Sequence, residues 1–161
     1  MSAVLSPCRR YRYQLERTVS MHEDNTYAYF GINPSTADES EDDATVRRWI
    51  GFTERFNSSR FLVGNAFAFR ATDVNDLAKA SDPVGPDNDK ILSNIIQQAD
   101  ILVPCWGSRN KLPVELHTRL DNVLAMLKKS GKPVMAFGFA ATGDPKHPLM
   151  LSYNTKLVEV I

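Results

Sequence analysis

Four short polar motifs each follow an apolar run typical of a buried strand, and they carry the residues best suited to chemistry. The motifs are GINPST at 31–36, NAFAFRAT at 65–72, WGS at 106–108 and HPL at 147–149. In an open α/β sheet, ligands bind at the carboxyl ends of the strands, so we expect the motifs to form one composite site. Their asparagines, histidine, arginine and aromatic rings suit a planar, hydrogen-bonding ligand such as a nucleobase.

Asn33 and His147 are the candidate catalytic residues. Pro34 fixes the turn after Asn33, whose amide can orient a water molecule or contact a base edge but is a weak general base. His147 lies in a polar loop between prolines, where an imidazole can donate a hydrogen bond to a developing anion or act as an acid. A simple connecting turn at Asn33 and a surface position for His147 are the alternatives.

Asn65, Trp106 and Phe67 are the candidate base-binding residues. Asn65 ends a predicted buried strand, so its amide must be satisfied either by backbone groups or by a ligand. Trp106 precedes a glycine, and we expect it either to stack on a ligand or to fill the core. Further polar side chains are expected to contact phosphate or to brace the loops of the site: Ser35, Arg47, Arg70 and Ser108.

The composition narrows the class of protein. The chain has 161 residues, enough for one domain, and its formal net charge of zero argues against strong sequence-independent binding of nucleic acid. Two cysteines, Cys8 and Cys105, are too few for a disulfide framework. The sequence lacks phosphate-loop, dinucleotide, zinc-protease and C-x-x-C motifs, so we predict neither a metal nor a cofactor. Without a membrane-length apolar run or a signal-peptide core, we expect a cytoplasmic protein whose partner is a nucleic acid or nucleotide, not a membrane.

Strand and helix patterns alternate along the chain. The predicted strands are 11–19, 27–32, 61–63, 101–103, 133–139 and an edge strand at 157–161. The predicted helices are one at 44–56 capped by Asp42 or Asp43, one that starts at Pro86, and one that starts at Pro113. We expect the first two strands, joined by a polar loop at 21–26, to form an antiparallel hairpin at a sheet edge. The alternation predicts an α/β fold, a single three-layer α/β/α domain over 1–161 with a mostly parallel central sheet.

A longer resemblance includes these motifs. The chain from about residue 11 to 152 resembles a family of bacterial and phage proteins known only as a domain of unknown function. The resemblance rests on NPSTAD (33–38), an RRW helix start (47–49), NAFAFRATD (65–73), DPVGPDND (82–89) and the terminal HPL. It implies a fold and a pocket more directly than a reaction.

The four motifs, in this order, also resemble those of the uracil-DNA glycosylase superfamily. GINPS is similar to the motif whose asparagine, here Asn33, positions the attacking water. FLVGNAFAFRA resembles the strand and loop whose asparagine, here Asn65, reads uracil, and DILVPCWGSRNK resembles the strand that carries a tryptophan and a glycine. HPL resembles the motif whose histidine, here His147, stabilises the departing base. The resemblance implies a uracil-DNA-glycosylase-like fold.

Three functions remain open. The first is base excision or base processing, in which Leu149 and Met150 fill the space left by a flipped base. The second is a non-catalytic module that holds a base, a nucleotide or nucleic acid, which the weak basicity of Asn33 favours. The third is a transferase or hydrolase of a nucleotide-like metabolite, and a pocket with no carboxylate near Asn33 would count against it. Its carboxylate would be one of Asp38, Asp43, Asp73 and Asp87.

Overall fold

The computed structural model describes residues 1–21 and 25–161, so residues 22–24 of the predicted loop at 21–26 lie outside the described residues. The strands are β1 Ser2–Leu5, β2 Arg12–Thr18, β3 Tyr27–Gly31, β4 Arg60–Asn65, β5 Ile101–Pro104, β6 Met135–Ala136 and β7 Val158–Glu159. The α-helices are α1 Ala44–Arg55, α2 Asn75–Lys79, α3 Asn88–Gln98 and α4 His117–Lys129. Short 3₁₀ turns cover Arg109–Lys111 and Val114–Leu116. The protein is therefore α/β.

Five strands form one mixed sheet in the order β1-β2-β4-β3-β5. β3 pairs in parallel with β4 and β5, whereas β2 pairs antiparallel with β1 and β4. The prediction of a mostly parallel sheet is therefore wrong. The predicted hairpin of the first two strands is also wrong, because β4 lies between β2 and β3. All five residues of β3 are buried, and a strand of this kind needs a neighbour on each side.

Two predicted strands near the end of the chain are much shorter in the structure. Of the range 133–139, only β6 is a strand, and it pairs antiparallel with β7 in a separate two-stranded sheet. Val134 makes a single parallel bridge to Leu102 of β5. Gly138 has a φ of +107°, which is outside the extended region, so the chain turns away before a longer strand can pair with β5.

The helices pack against a sheet whose alternate residues face different clusters. Tyr29 in β3 belongs to a core cluster that includes the buried residues of α1. Its neighbour Phe30 belongs to a second cluster, which includes buried residues of α3 and α4. This period of two is the normal consequence of the strand pleat. No helix within the described residues has the length and apolarity needed to cross a membrane.

α1 has the predicted start and ends one residue before the predicted limit of 44–56. Of the two proposed caps, Asp43 is the one used, since its Oδ1 accepts a hydrogen bond from the backbone N–H of Val46 at 2.9 Å. The loop that precedes α1 is fixed in turn by Arg17 of β2, which pairs with Asp42 at 2.7 Å. The capping residue is therefore held in a defined position beside the sheet.

The C-terminal segment is attached to α1 by two arginines. The guanidinium carbons of Arg48 and Arg55 each lie 3.9 Å from the ring centroid of Tyr153. Arg48 also donates a hydrogen bond to the carbonyl of Leu151. Cation–π contacts of this kind contribute about 0.5–1 kcal/mol each at exposed positions. They hold the segment after His147 against the helix that Asp43 caps.

Candidate functional site

A cavity of about 160 Å³ lies where β3, β4 and β5 end. Asn33, Asn65, Trp106 and His147, one from each of the four sequence motifs, line it. The first three approach each other because β3 is parallel to both β4 and β5, so the loops that follow these strands leave the sheet at one edge. The structure therefore brings the candidate catalytic residues and two of the candidate base-binding residues together.

Asn65 is the last residue of β4 and is only 3% exposed. Its Nδ2 has no hydrogen-bond partner among the described residues, whereas Asn88 donates from its own Nδ2 to the Asn65 carbonyl at 3.0 Å. The Asn65 Oδ1 lies against Gly31, where a Cβ would come within 2.9 Å of it. A buried donor without a partner costs about 1–3 kcal/mol. The amide is therefore free to pair with a ligand, the second of the two alternatives for this residue.

The side-chain amide of Asn33, unlike that of Asn65, is hydrogen-bonded to backbone carbonyls. Its Nδ2 donates to the carbonyl of Ala71 at 2.7 Å and to that of Pro34 at 3.0 Å, which uses both amide hydrogens. These bonds hold the loop after β3 against the loop after β4. Asn33 can therefore contact a ligand or a water molecule only through Oδ1, as an acceptor.

His147 is held as a neutral imidazole. Its Nδ1 accepts a hydrogen bond from the backbone N–H of Leu149 at 3.2 Å, which leaves the ring proton on Nε2. Burial, followed by the charge of Lys111, lowers the pKa of His147 to about 4, although Asp43 opposes the shift. At neutral pH the ring is thus an uncharged donor. Of the two roles expected for it, donation to an anion fits this state and acid catalysis does not.

The titration of His147 tests this description. We expect its imidazole to protonate near pH 4 instead of at the ordinary 6.5, as measured by NMR. The unfolded chain takes up this proton first as the pH falls, so folding stability decreases between about 6.5 and about 4, by an amount on the order of 3 kcal/mol. Lys111→Met removes a repelling charge and should raise the pKa of His147. A wild-type pKa near 6.5 that Lys111→Met leaves unchanged would contradict a half-buried ring beside Lys111.

The aromatic candidates occupy different places. Trp106 is 1% exposed and lines the cavity, and its Nε1 has no partner within the described part of the chain. Trp49 of α1 also lines the cavity, with its ring stacked 5.5 Å from that of Tyr29. Phe67 lies in the hydrophobic core and does not line the cavity. The second aromatic residue of the cavity is therefore Trp49 and not Phe67. The Phe67 ring is buried in the core, where it contributes to stability.

The four residues predicted to contact phosphate or brace loops also separate into two groups. Ser35 lines the cavity, and Arg70 donates from Nε to its carbonyl at 3.4 Å. Arg47 is exposed and donates to a backbone carbonyl of the loop before α1 at 2.8 Å. Ser108 caps the 3₁₀ turn that follows it. Of the four, only Ser35 lines the cavity, Arg70 braces the Ser35 loop, and Arg47 and Ser108 brace surface loops.

Three charged residues also line the cavity: Arg12, Lys111 and Asp43, which was one of the candidate carboxylates for the third function. Arg12 reaches it because β2 runs antiparallel to β4, so β2 begins where β4 ends. The Lys111 Nζ packs over Gly107, 3.1 Å from where a Cβ would lie, and burial lowers the pKa of this lysine. The absence of a carboxylate near Asn33 would have counted against a transferase or hydrolase of a nucleotide-like metabolite. Asp43 supplies such a carboxylate, so this argument does not apply. The sequence signal for Arg12 was a cluster of arginines, Arg9, Arg10 and Arg12, which together with Arg47 and Arg48 could contact phosphates.

Comparison with known proteins assigns a family. A family model described as a protein of unknown function (DUF1643) matches residues 12–149. The chain belongs to the DUF1643 family. The matched region includes every cavity residue named above, from Arg12 to His147. No curated protein and no solved structure matches the chain, so the resemblance to uracil-DNA glycosylases stays a hypothesis.

The lining of the DUF1643 cavity is rich in hydrogen-bond donors. The Asn65 amide and the indole N–H groups of Trp49 and Trp106 have no partners among the described residues, and the neutral imidazole of His147 adds a fourth donor. The charged side chains of the lining are two cations and one carboxylate, which leaves a net positive charge. Over 1–21 and 25–161, no group of three or more metal-ligating side chains is placed to hold a metal ion. This lining suits a planar ligand that carries acceptor atoms or negative charge.

Proposed function

We propose that the DUF1643 cavity binds a nucleobase and that the protein hydrolyses the bond between this base and its sugar. The unpaired amide of Asn65 carries the proposal, since a buried side chain with one donor and one acceptor matches the edge of a base. The volume of about 160 Å³ also supports it. Pockets for drug-sized ligands have about 300–1,000 Å³, so this smaller cavity suits a ligand with a single ring system.

The proposed reaction assigns a role to each polar group of the lining. The flipped base enters the cavity, and Asn65 pairs with its edge. As the base–sugar bond breaks, its electrons move onto the base, and the Nε2–H of His147 donates to the oxygen that becomes negative. A neutral donor stabilises this anion without transferring a proton. The departing base then takes a proton from solvent.

The attacking water needs an acceptor and a base. Asn33 offers only Oδ1 and is suited to orienting the water, because both of its amide hydrogens are used by backbone carbonyls. Asp43 is the carboxylate of the cavity. In the proposed reaction, the water oxygen bonds to the sugar carbon and Asp43 accepts the water proton.

A uracil-DNA-glycosylase-like, three-layer arrangement is part of this proposal, supported by the alternation of the central strand residues between two core clusters.

A non-catalytic nucleobase-binding module is the second candidate. The two backbone hydrogen bonds of Asn33 favour it, because they use both amide hydrogens to brace the loops and leave no donor for catalysis. A hydrolase of a nucleotide metabolite would use the same residues, and Asp43 favours that version. Both alternatives keep Asn65 as the residue that recognises the base.

Formation of abasic sites tests the proposed reaction. The substrates are single- and double-stranded oligonucleotides that carry uracil, hydroxymethyluracil or hypoxanthine. We expect wild-type protein to release at least one base, and His147→Ala to lose this activity. His117→Ala is the matched control, because His117 bonds to the carbonyl of Leu112 at 2.8 Å and lies outside the cavity lining.

Asp43→Asn separates catalysis from folding. Asparagine caps helices about as well as aspartate, so α1 should keep its stability while the base is lost. We expect Asp43→Asn to bind the base and not to cleave. If wild type cleaves nothing and Asn65→Ala abolishes binding of bases, the protein is a binding module. Full activity in Asp43→Asn would remove Asp43 from the mechanism.

A further inference from the structure

Arg12 is a buried cation that forms no ion pair among the described residues. It is 3% exposed, its Nη1 donates to the carbonyl of Ala37 at 2.6 Å, and its Nε has no partner among the described residues. In the same part of the chain Arg12 forms no ion pair, whereas the equally buried Arg17 pairs with Asp42 at 2.7 Å. Buried charges are normally paired, because desolvation is costly. The comparison indicates that, among the described residues, Arg12 has no ion-pair partner, and a bound anion would supply one.

The surroundings of Arg12 do not neutralise it. Burial lowers the pKa of Arg12 to about 10, Asp43 opposes this shift, and the nearby Arg70 adds to it. The guanidinium is therefore still charged at neutral pH. Lys111 adds a second cation to the same cavity. An anionic group entering here would gain from both cations and would meet one carboxylate.

The position of Arg12 places a bound anionic group close to a base held by Asn65. Arg12 begins β2, and β2 is the neighbour of β4, which Asn65 ends. Adjacent strands lie about 4.8 Å apart, so an anion at Arg12 lies close to a base held by Asn65. Ser35 lines the same cavity, and its carbonyl accepts a hydrogen bond from Arg70. In a nucleotide, the charged group nearest the base is the phosphate, and a guanidinium binds phosphate through two parallel hydrogen bonds.

We propose that Arg12 forms a phosphate subsite within the cavity, so that the ligand is a nucleotide bound by its base and its phosphate together. The nucleotide part of this inference rests on the proposed function, and the phosphate subsite does not. The phosphate comes either from a free mononucleotide or from the backbone of a single strand. Both offer the same chemistry to Arg12, and separate ligands distinguish them.

Affinity and NMR together test the subsite in the intact protein. The ligands are deoxyuridine, deoxyuridine 5′-monophosphate, a short uracil-containing single strand and inorganic phosphate. We expect the monophosphate or the strand to bind about tenfold or more tightly than the nucleoside, as a charge-assisted hydrogen bond requires. The Nε–H resonance of Arg12 should shift with every phosphate-bearing ligand and not with the nucleoside.

Variants identify the residue. Arg12→Gln should abolish the difference between nucleotide and nucleoside, Arg12→Lys should restore part of it, and the adjacent exposed Arg10→Gln should leave it unchanged. The Nε–H measurement on wild type decides the question even if Arg12→Gln fails to fold. Tighter binding of the strand than of the monophosphate would assign the phosphate to a nucleic-acid backbone.

The outcomes separate the two proposals. A shift with inorganic phosphate, in a protein that binds no nucleoside or nucleotide, would support the subsite and overturn the nucleobase function. Equal affinity for nucleoside and monophosphate, with no Nε–H shift, would overturn the subsite and leave base recognition intact. If none of the four ligands binds, both proposals fall.

Discussion

Asn65→Ala is expected to weaken binding of the base strongly while the protein remains folded. The amide has no partner for its Nδ2 in the described structure, so its removal breaks no bond from this donor. The small void left beside Gly31 lowers the free energy of unfolding, whereas removal of a buried, unpaired amide raises it. We therefore expect the free energy of unfolding to change by less than about 1 kcal/mol. Affinity for the base should fall by about 10–100-fold, the range for one paired amide.

Asn88→Ala is the matched control for that substitution. Asn88 is fully buried, and its Nδ2 donates to the carbonyls of Asn65 at 3.0 Å and Ala66 at 3.2 Å. Its loss leaves a buried carbonyl without its donor, so we expect the free energy of unfolding to fall by about 2–3 kcal/mol. Denaturant unfolding and calorimetric titration of both variants give the comparison. If Asn65→Ala is the more destabilised of the two and still binds, Asn65 is a structural residue and base recognition is wrongly assigned.

Arg17→Ala is expected to cause the largest loss of stability. Arg17 is 1% exposed, and its guanidinium binds the carboxylate of Asp42 at 2.7 Å and the carbonyls of Glu16 and Asp38. One substitution therefore removes the donor for several acceptors and leaves a void. We expect the free energy of unfolding to fall by about 3–5 kcal/mol. The loop before Asp43 should loosen as well, which would lower ligand affinity in the fraction that stays folded.

Arg47→Ala is the control for Arg17→Ala, since it removes an arginine that binds the same loop. Arg47 is exposed and makes one bond to the carbonyl of Asp42 at 2.8 Å. We expect the free energy of unfolding to change by less than about 0.5 kcal/mol. Equal losses in the two variants, measured by denaturant unfolding, would mean that burial of Arg17 contributes nothing beyond a surface contact.

Local patterns were sufficient for α1 and for the central strands, but they missed β1 and α2 and did not determine how the strands pair. α1 was predicted almost to its ends because both its apolar face and its cap, Asp43, are set by residues within one helix. The order of the strands depends on which faces must be buried once the helices pack. In the structure β4 lies between β2 and β3, and its antiparallel pairing with β2 makes the sheet mixed. The strand expected at 133–139 was limited to β6 for a similar reason, since its extension depended on pairing with β5.

The same division holds for the candidate site. The sequence by itself determined that Asn33, Asn65 and Trp106 follow strands, and strands that run parallel bring such residues to one edge. It did not determine that Arg12 joins them, because that depends on the direction of β2.

The two asparagines illustrate the physical reason. In the sequence both are amides at the ends of buried strands. The tertiary structure supplies two carbonyls to the Nδ2 of Asn33 and, among the described residues, none to that of Asn65. Whether a side chain is available to a ligand depends on the partners that distant segments bring to it, and only the folded chain decides that.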